Sequence, residues 1–212
     1  MYIWDMAGTP QDSREPLFEN ASELQKIFIK RRSYRKYADI PIEPEKIEQI
    51  IKTVELFIAK MQLKNSKILL ISDELTFKSI ISSATKGIIG SINPWLKSTK
   101  ARGFIVAIVD NKGVRDSSER NRRIAETSMA MQIAILRATE LELATCWMAG
   151  INSREVERVL GLDDGEEVIA VSTLGYPPSR TSLTDYDFWA NRLVSGRRKP
   201  ISEIMFIEKI ER

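Results

Sequence analysis

The run Phe104-Ile105-Val106-Ala107-Ile108-Val109 contains no polar residue, and four of its six side chains are β-branched. A strand with one wet face alternates apolar and polar positions, whereas a strand covered on both faces reads as a continuous apolar run. The segment is therefore predicted as a central strand. Beyond a polar link, Asp116 and Glu119 stand at capping-box spacing ahead of a long helix over about residues 118 to 141. From 124 to 138 that helix is apolar or small around most of its circumference, through Ala125, Met129, Ala130, Met131, Ile133, Ala134, Ile135 and Leu136. A helix of this kind is buried, either in a core or in a subunit interface.

On either side of this pair, helices alternate with short strands. Residues 1–19, with Gly8, Pro10 and Pro16, read as an extended arm. Asn20 or Ser22 caps a first helix whose stripe of Leu24, Ile27, Phe28 and Ile29 runs into Lys30-Arg31-Arg32. Pro44 opens a second helix from about 45 to 60, where Ile47, Ile50, Ile51, Val54, Phe57 and Ile58 hold helical spacing. Residues 67–72 are a short strand, and Asp73 caps a helix ending near Gly87. Asn152 and Glu155 repeat the capping-box spacing before a short helix stopped by Gly161, and residues 167–174 make a third strand. The chain closes with the basic turn Arg197-Arg198-Lys199-Pro200 and an apolar tail of Ile201, Ile204, Met205, Phe206 and Ile207. No repeat or linker divides it, so one domain over 20–195 is expected, with arms at 1–19 and 196–212.

Composition narrows the chemistry. With 212 residues and 43% hydrophobic content the chain can build a core. Its 32 Lys+Arg against 29 Asp+Glu leave a formal charge of +3, too weak a field to demand nucleic acid. No run is apolar for the length that spans a bilayer, and the first residues lack the pattern of an export signal. A cytoplasmic protein without a membrane partner is expected. The single Cys146 excludes a disulfide framework and, within Leu143-Ala144-Thr145-Cys146-Trp147-Met148, is expected to be buried. The chain has no histidine, which rules out Ser-His and Cys-His nucleophile systems and leaves no expectation of a metal site. Reactive chemistry, if the chain is an enzyme, then falls to a bound organic cofactor.

Arg31-Arg32-Ser33-Tyr34-Arg35 is the strongest local signal, with three guanidiniums and a hydroxyl where a helix gives way to a loop. Guanidiniums fork onto phosphate and carbonyl oxygens, so an anionic or carbonyl-rich ligand fits. Taken alone, the five residues are more commonly solvated cations that complement a helix C-terminal dipole.

Their context is more specific. Arg31-Arg32-Ser33-x-Arg35-x-Tyr37 follows an amphipathic helix and precedes a proline-opened one. After it come Glu126-Thr127-Ser128-Met129-Ala130-Met131-Gln132, then Leu141-Glu142-Leu143 through Met148-Ala149-Gly150, then Leu174-Gly175-Tyr176-Pro177 and the basic turn at 197–200. This ordered series, over about residues 22 to 207, resembles the nitroreductase family of flavoproteins. The resemblance implies an α+β fold, a central mixed β-sheet surrounded by helices, with extended N- and C-terminal arms in a homodimer, and FMN as cofactor. It implies that Arg31, Arg32 and Ser33 address the FMN phosphate and ribityl chain. Arg35 would reach the pyrimidine edge of the flavin, where a cation stabilises the negative charge that reduction places at N1 and O2. Met148, Ala149 and Gly150 would lie near the isoalloxazine ring, where a small residue lets backbone N–H groups approach N5. Read by itself, Gly150 is as readily a turn glycine ahead of Asn152. Arg198, with Arg197 in reserve, would supply a second phosphate ligand.

One segment departs from the family. Members commonly carry a Pro-Ser or Pro-Ala turn and Asn-x-Gln-Pro-Trp after the second helix, whereas this chain reads Phe57-Ile58-Ala59-Lys60-Met61-Gln62-Leu63-Lys64-Asn65-Ser66. Asn93-Pro94-Trp95, well downstream, is a distant echo and is not read as a replacement. The resemblance implies an oxidoreductase of ping-pong type, taking electrons from NAD(P)H to an electron-poor small molecule such as a nitroaromatic or a quinone. The alternative is an FMN- or nucleotide-binding protein of the same fold with little or no turnover. Nucleic-acid binding through the arginines, Arg120, Arg122 and Arg123 included, lacks interleaved aromatics and a recognisable module.

Overall fold

A computed structural model describes residues 21–87, 92–148 and 150–178. The two expected arms, and Ala149, Arg197 and Arg198 among the expected site residues, lie outside the described residues. Strands β1 (Ser66–Ile71), β2 (Gly103–Asp110), β3 (Ala144–Met148) and β4 (Glu166–Gly175) form one sheet in the order β1-β2-β4-β3. The run at 104–109 is thus central, between β1 and β4. All three strand pairings are antiparallel, so the expected mixed sheet is antiparallel over the described strands. Parallel pairing is confined there to an isolated bridge between Ser33 and Thr145 at the β3 edge. The β1 to β2 connection shows why. Ile71, where β1 ends, is the register partner of Phe104, the second residue of β2, so the chain re-enters the sheet at the end it left.

Helices α1 (Glu23–Lys30), α2 (Pro44–Met61), α3 (Glu74–Ala84), α4 (Ser117–Glu140) and α5 (Ser153–Leu160) complete the described architecture, with a 3₁₀ turn at Pro94–Ser98. Their starts follow local chemistry. Ser22 and Gln25 form a reciprocal capping box, Pro44 opens α2, and Asp73, Asp116 and Asn152 each accept the backbone N–H three residues on. Gly161 ends α5 in the left-handed conformation, with φ +62°.

The alternation of β2 sorts the core into two layers. Phe104, Val106 and Ile108 pack with Phe77, Ile80, Leu96 and Val156, beneath α3 and α5. Ile105 and Ala107 pack with Ile50, Val54, Met131, Ala134 and Ile135, beneath α2 and α4. Each such side chain, fully buried, contributes about 1.5–3 kcal/mol relative to exposure. Cys146 is buried in the first of these clusters. Helix α4 does not bury its whole apolar circumference, since Met129 stays 43% exposed. No residue of α1 is buried, and its Leu24 and Phe28 are 56% and 52% exposed.

Candidate functional site

The site is built on the outer edge of β3. Helix α1 ends at Lys30 because Arg31 turns to extended geometry while its N–H still bonds the Ile27 carbonyl at 3.0 Å. The chain then lies along β3, with Ser33 bridged to Thr145 and the Tyr34 N–H donating to the Thr145 carbonyl at 2.9 Å. It is fastened again where the Ala38 N–H donates to the Tyr176 carbonyl at 3.0 Å. Between these points Tyr37 is buried, its hydroxyl donating to the Tyr34 carbonyl at 2.7 Å and meeting the Thr173 hydroxyl. Arg31, Arg32, Ser33 and Arg35 therefore sit on a strap held against the strand that ends at Met148.

Among the described residues most arginines outside the strap are ion-paired, Arg154 excepted. Arg102, Arg120, Arg122, Arg123 and Arg137 each pair with a carboxylate. Arg31, Arg32 and Arg35 have no such partner among the described residues. Arg31 and Arg35 are half-buried, Arg32 and Ser33 exposed. The Arg35 Nη1 atom is buried with no hydrogen-bond partner at all. Arg123 and Arg137 also leave a buried Nε unpaired, but their other nitrogens hold Glu119 and the Asp110 and Lys112 carbonyls, or Gln49 and Glu140. An unpaired buried donor costs on the order of 1–3 kcal/mol, more when charged. A ligand bearing planar carbonyl oxygens or an anion is the chemistry that removes the deficit, and the flavin pyrimidine fits it.

At the other end of β3, Met148 and Ile151 are buried and Asn152 caps α5. Gly150 between them is not among the glycines with positive φ, and a Cβ there would meet only Ile92 at ordinary contact distance, 3.5 Å. Neither a positive φ nor a clash among the described residues requires glycine at this bend. The Asn93 Nδ2 donates to the Gly150 carbonyl at 2.8 Å, and the Trp95 Nε1 donates to the Asn93 Oδ1 at 3.3 Å. Asn93 and Trp95, read in the sequence only as a distant echo of the family motif, are thus brought against the Gly150 carbonyl. The unmatched stretch at 57–66 is the last turn of α2 and a tight link into β1. Gln62 caps the helix with φ 54°, and the Leu63 N–H reaches back to the Ile58 carbonyl at 3.1 Å.

Two arrangements escaped the sequence. Lys46 donates to the Tyr176 hydroxyl at 2.6 Å and to the Leu141 carbonyl at 3.0 Å, tying α2 to the ends of β4 and α4. Tyr176 in turn donates to Glu43, whose carboxyl that bond, and then its own backbone, holds below the ordinary carboxylate range. Arg120, Arg122 and Arg123, in contrast, are neutralised by Glu167, Glu126 and Glu119, so they offer no free basic face to a phosphate backbone.

A helix-covered antiparallel sheet with a strap of arginines on its edge defines an α+β protein. The model of the nitroreductase family matches residues 29–176, and this chain belongs to that family. MhqN of Bacillus subtilis (strain 168), by name an NAD(P)H nitroreductase, is 22% identical over 214 residues, covering 87% of this chain and 98% of the relative. An FMN-dependent nitroreductase from Clostridium difficile R20291 superposes with a TM-score of 0.59 at 25% identity, over 76% of this chain and 92% of that one. The NADPH:FMN oxidoreductase of Vibrio harveyi, solved with NAD+, superposes with a TM-score of 0.68 at 16% identity, over 90% of this chain and 79% of that one. No helix among the described residues is long and apolar enough to cross a membrane.

Proposed function

We propose that this chain is an FMN-dependent oxidoreductase that carries electrons from NAD(P)H to an electron-poor small molecule, a nitroaromatic, quinone or similar, by a ping-pong route. The observation that carries the reading is the buried, partnerless Nη1 of Arg35 on a strap of unpaired arginines. Relatives named for FMN and NAD(P)H support the cofactor and the donor. FMN supplies the hydride chemistry that a chain without histidine lacks. Arg35 donates to the pyrimidine edge and holds positive charge where reduction adds negative charge. Arg31, Arg32 and Ser33 take the phosphate and ribityl chain, Arg198 or Arg197 gives a second phosphate contact, and Met148, Ala149 and Gly150 border the ring. The working unit is a homodimer.

Titration of the purified protein with FMN tests this directly. We expect saturable binding, then bleaching of the flavin by NADH or NADPH without oxygen. Binding without bleaching selects a nucleotide-binding protein of the same fold, a reading favoured by the tight link at 62–65 in place of the family's ring-side segment. Absence of FMN binding overturns both.

A further inference from the structure

The corner at residues 92–95 has no role in the flavin site as described so far. Ile92 is 63% exposed, yet its Cδ1 stands 3.5 Å from where a Cβ on Gly150 would be, so an apolar side chain covers Gly150 while facing solvent. The corner is rooted in the core, because Leu96 of the 3₁₀ turn is fully buried. Asn93 is satisfied on both sides, its amide donating to Gly150 and its carbonyl accepting from Trp95. The far flank of the same turn is held as well. The Asn152 N–H donates to the Ala84 carbonyl at 3.3 Å, and Lys86 pairs with Glu155 at 3.1 Å.

We propose that Ile92 is a specificity-determining residue on the acceptor side of the site, and that Asn93, oriented by Trp95, is the positioning residue that holds the Gly150 peptide beneath it. The proposal rests on the flavin reading of Met148 to Gly150. An exposed aliphatic side chain beside the reacting ring favours flat, apolar acceptors by contact area and disfavours charged ones by desolvation. It selects by size and polarity and not by hydrogen bonding, which sets a modest discrimination.

The experiment compares Ile92→Ala, Asn93→Ala and Trp95→Phe with the parent protein, each loaded with FMN. The ratio of kcat/KM for a two-ring quinone to that for a one-ring quinone is expected to fall about tenfold in Ile92→Ala. FMN affinity should stay within about twofold, since Ile92 is assigned no cofactor contact. Asn93→Ala should move the ratio the same way, and Trp95→Phe less, because Phe keeps the packing but loses the Nε1 donor. A second readout needs no flavin. Amide hydrogen exchange at Asn152, whose N–H bonds the Ala84 carbonyl just past the held Gly150 carbonyl, should accelerate in Asn93→Ala and not in Ile92→Ala in the FMN-free protein. A parent protein that binds FMN, with an acceptor ratio unmoved by Ile92→Ala, overturns the specificity role alone. Unchanged exchange in Asn93→Ala overturns the positioning role. A parent protein that binds no FMN removes the functional reading, and this proposal with it.

Discussion

At Arg35 the requirements of folding and binding oppose each other. Its buried Nη1 has nothing to bond, so the ligand-free protein carries a desolvation cost that the proposed FMN would relieve. Arg35→Met keeps the aliphatic stem and removes the charge. We expect the FMN-free protein to gain about 1 kcal/mol of stability, FMN affinity to fall about tenfold, and the remaining bound flavin to become harder to reduce. Thermal melts with and without FMN, and a redox titration, measure the three. A less stable ligand-free variant with an unchanged FMN-induced shift makes Arg35 a structural residue. Arg31→Ala removes a phosphate fork and should weaken FMN by on the order of 2 kcal/mol, about thirtyfold, leaving the ligand-free melt unmoved. The residue types of this strap were legible in the sequence because their order follows a family pattern. Their freedom was not, since it depends on where carboxylates lie. The pair Arg122 and Glu126 is readable from four-residue spacing, but Arg120 meets Glu167 only through the fold.

At the scale of elements, the strand that the sequence did not show is β3. The apolar run of β2 is buried along its length, and α4 buries most but not all of its apolar circumference. Strand β3 has five residues, too few to show a period, and its strand character comes from pairing with β4. Predicted and observed caps agree at Asp116, but the expected capping box is only half made. Glu119 turns instead to Arg123 and Arg115. The Arg123 side chain, then that of Arg115, then its backbone N–H, lower the Glu119 carboxyl from an ordinary 4.5 to about 2. A carboxylate depressed in the folded state adds stability that is fully present above its unfolded value and is lost as pH falls through the folded one. Glu119→Gln should therefore melt at a lower temperature than the parent at pH 7, with the gap narrowing from pH 4.5 to 2. Melting curves that stay parallel over this range would count against the network. Close approach of strands gives a second expectation. A Cβ on Gly103 would stand 2.7 Å from the Ile71 carbonyl oxygen, so Gly103→Ala should destabilise by about 2 kcal/mol, read by urea unfolding.

On the whole molecule, the described residues leave apolar side chains exposed on α1 and α4, and also on α2, α3 and α5. Helix α1 packs against α4, yet Leu24, Phe28 and Met129 remain largely open. The proposed homodimer covers this face, and the functional strap begins only three residues after Phe28, at Arg31. Assembly and cofactor retention should consequently fail together. The double variant Phe28→Glu, Met129→Arg buries two charges without partners in the proposed interface and is expected to raise the dimer dissociation constant more than about a hundredfold. FMN content should fall in the same preparation. Leu75→Glu is the control, because Leu75 is at least as exposed but lies on α3, across the sheet, where no interface is proposed. Removal of residues 200–212 should act like the double variant, through loss of the C-terminal arm. Light scattering with flavin quantitation distinguishes the outcomes. A monomeric parent protein, or a double variant that stays dimeric with full FMN, refutes the arrangement, whereas a dimer lost in Leu75→Glu moves the interface to the opposite face.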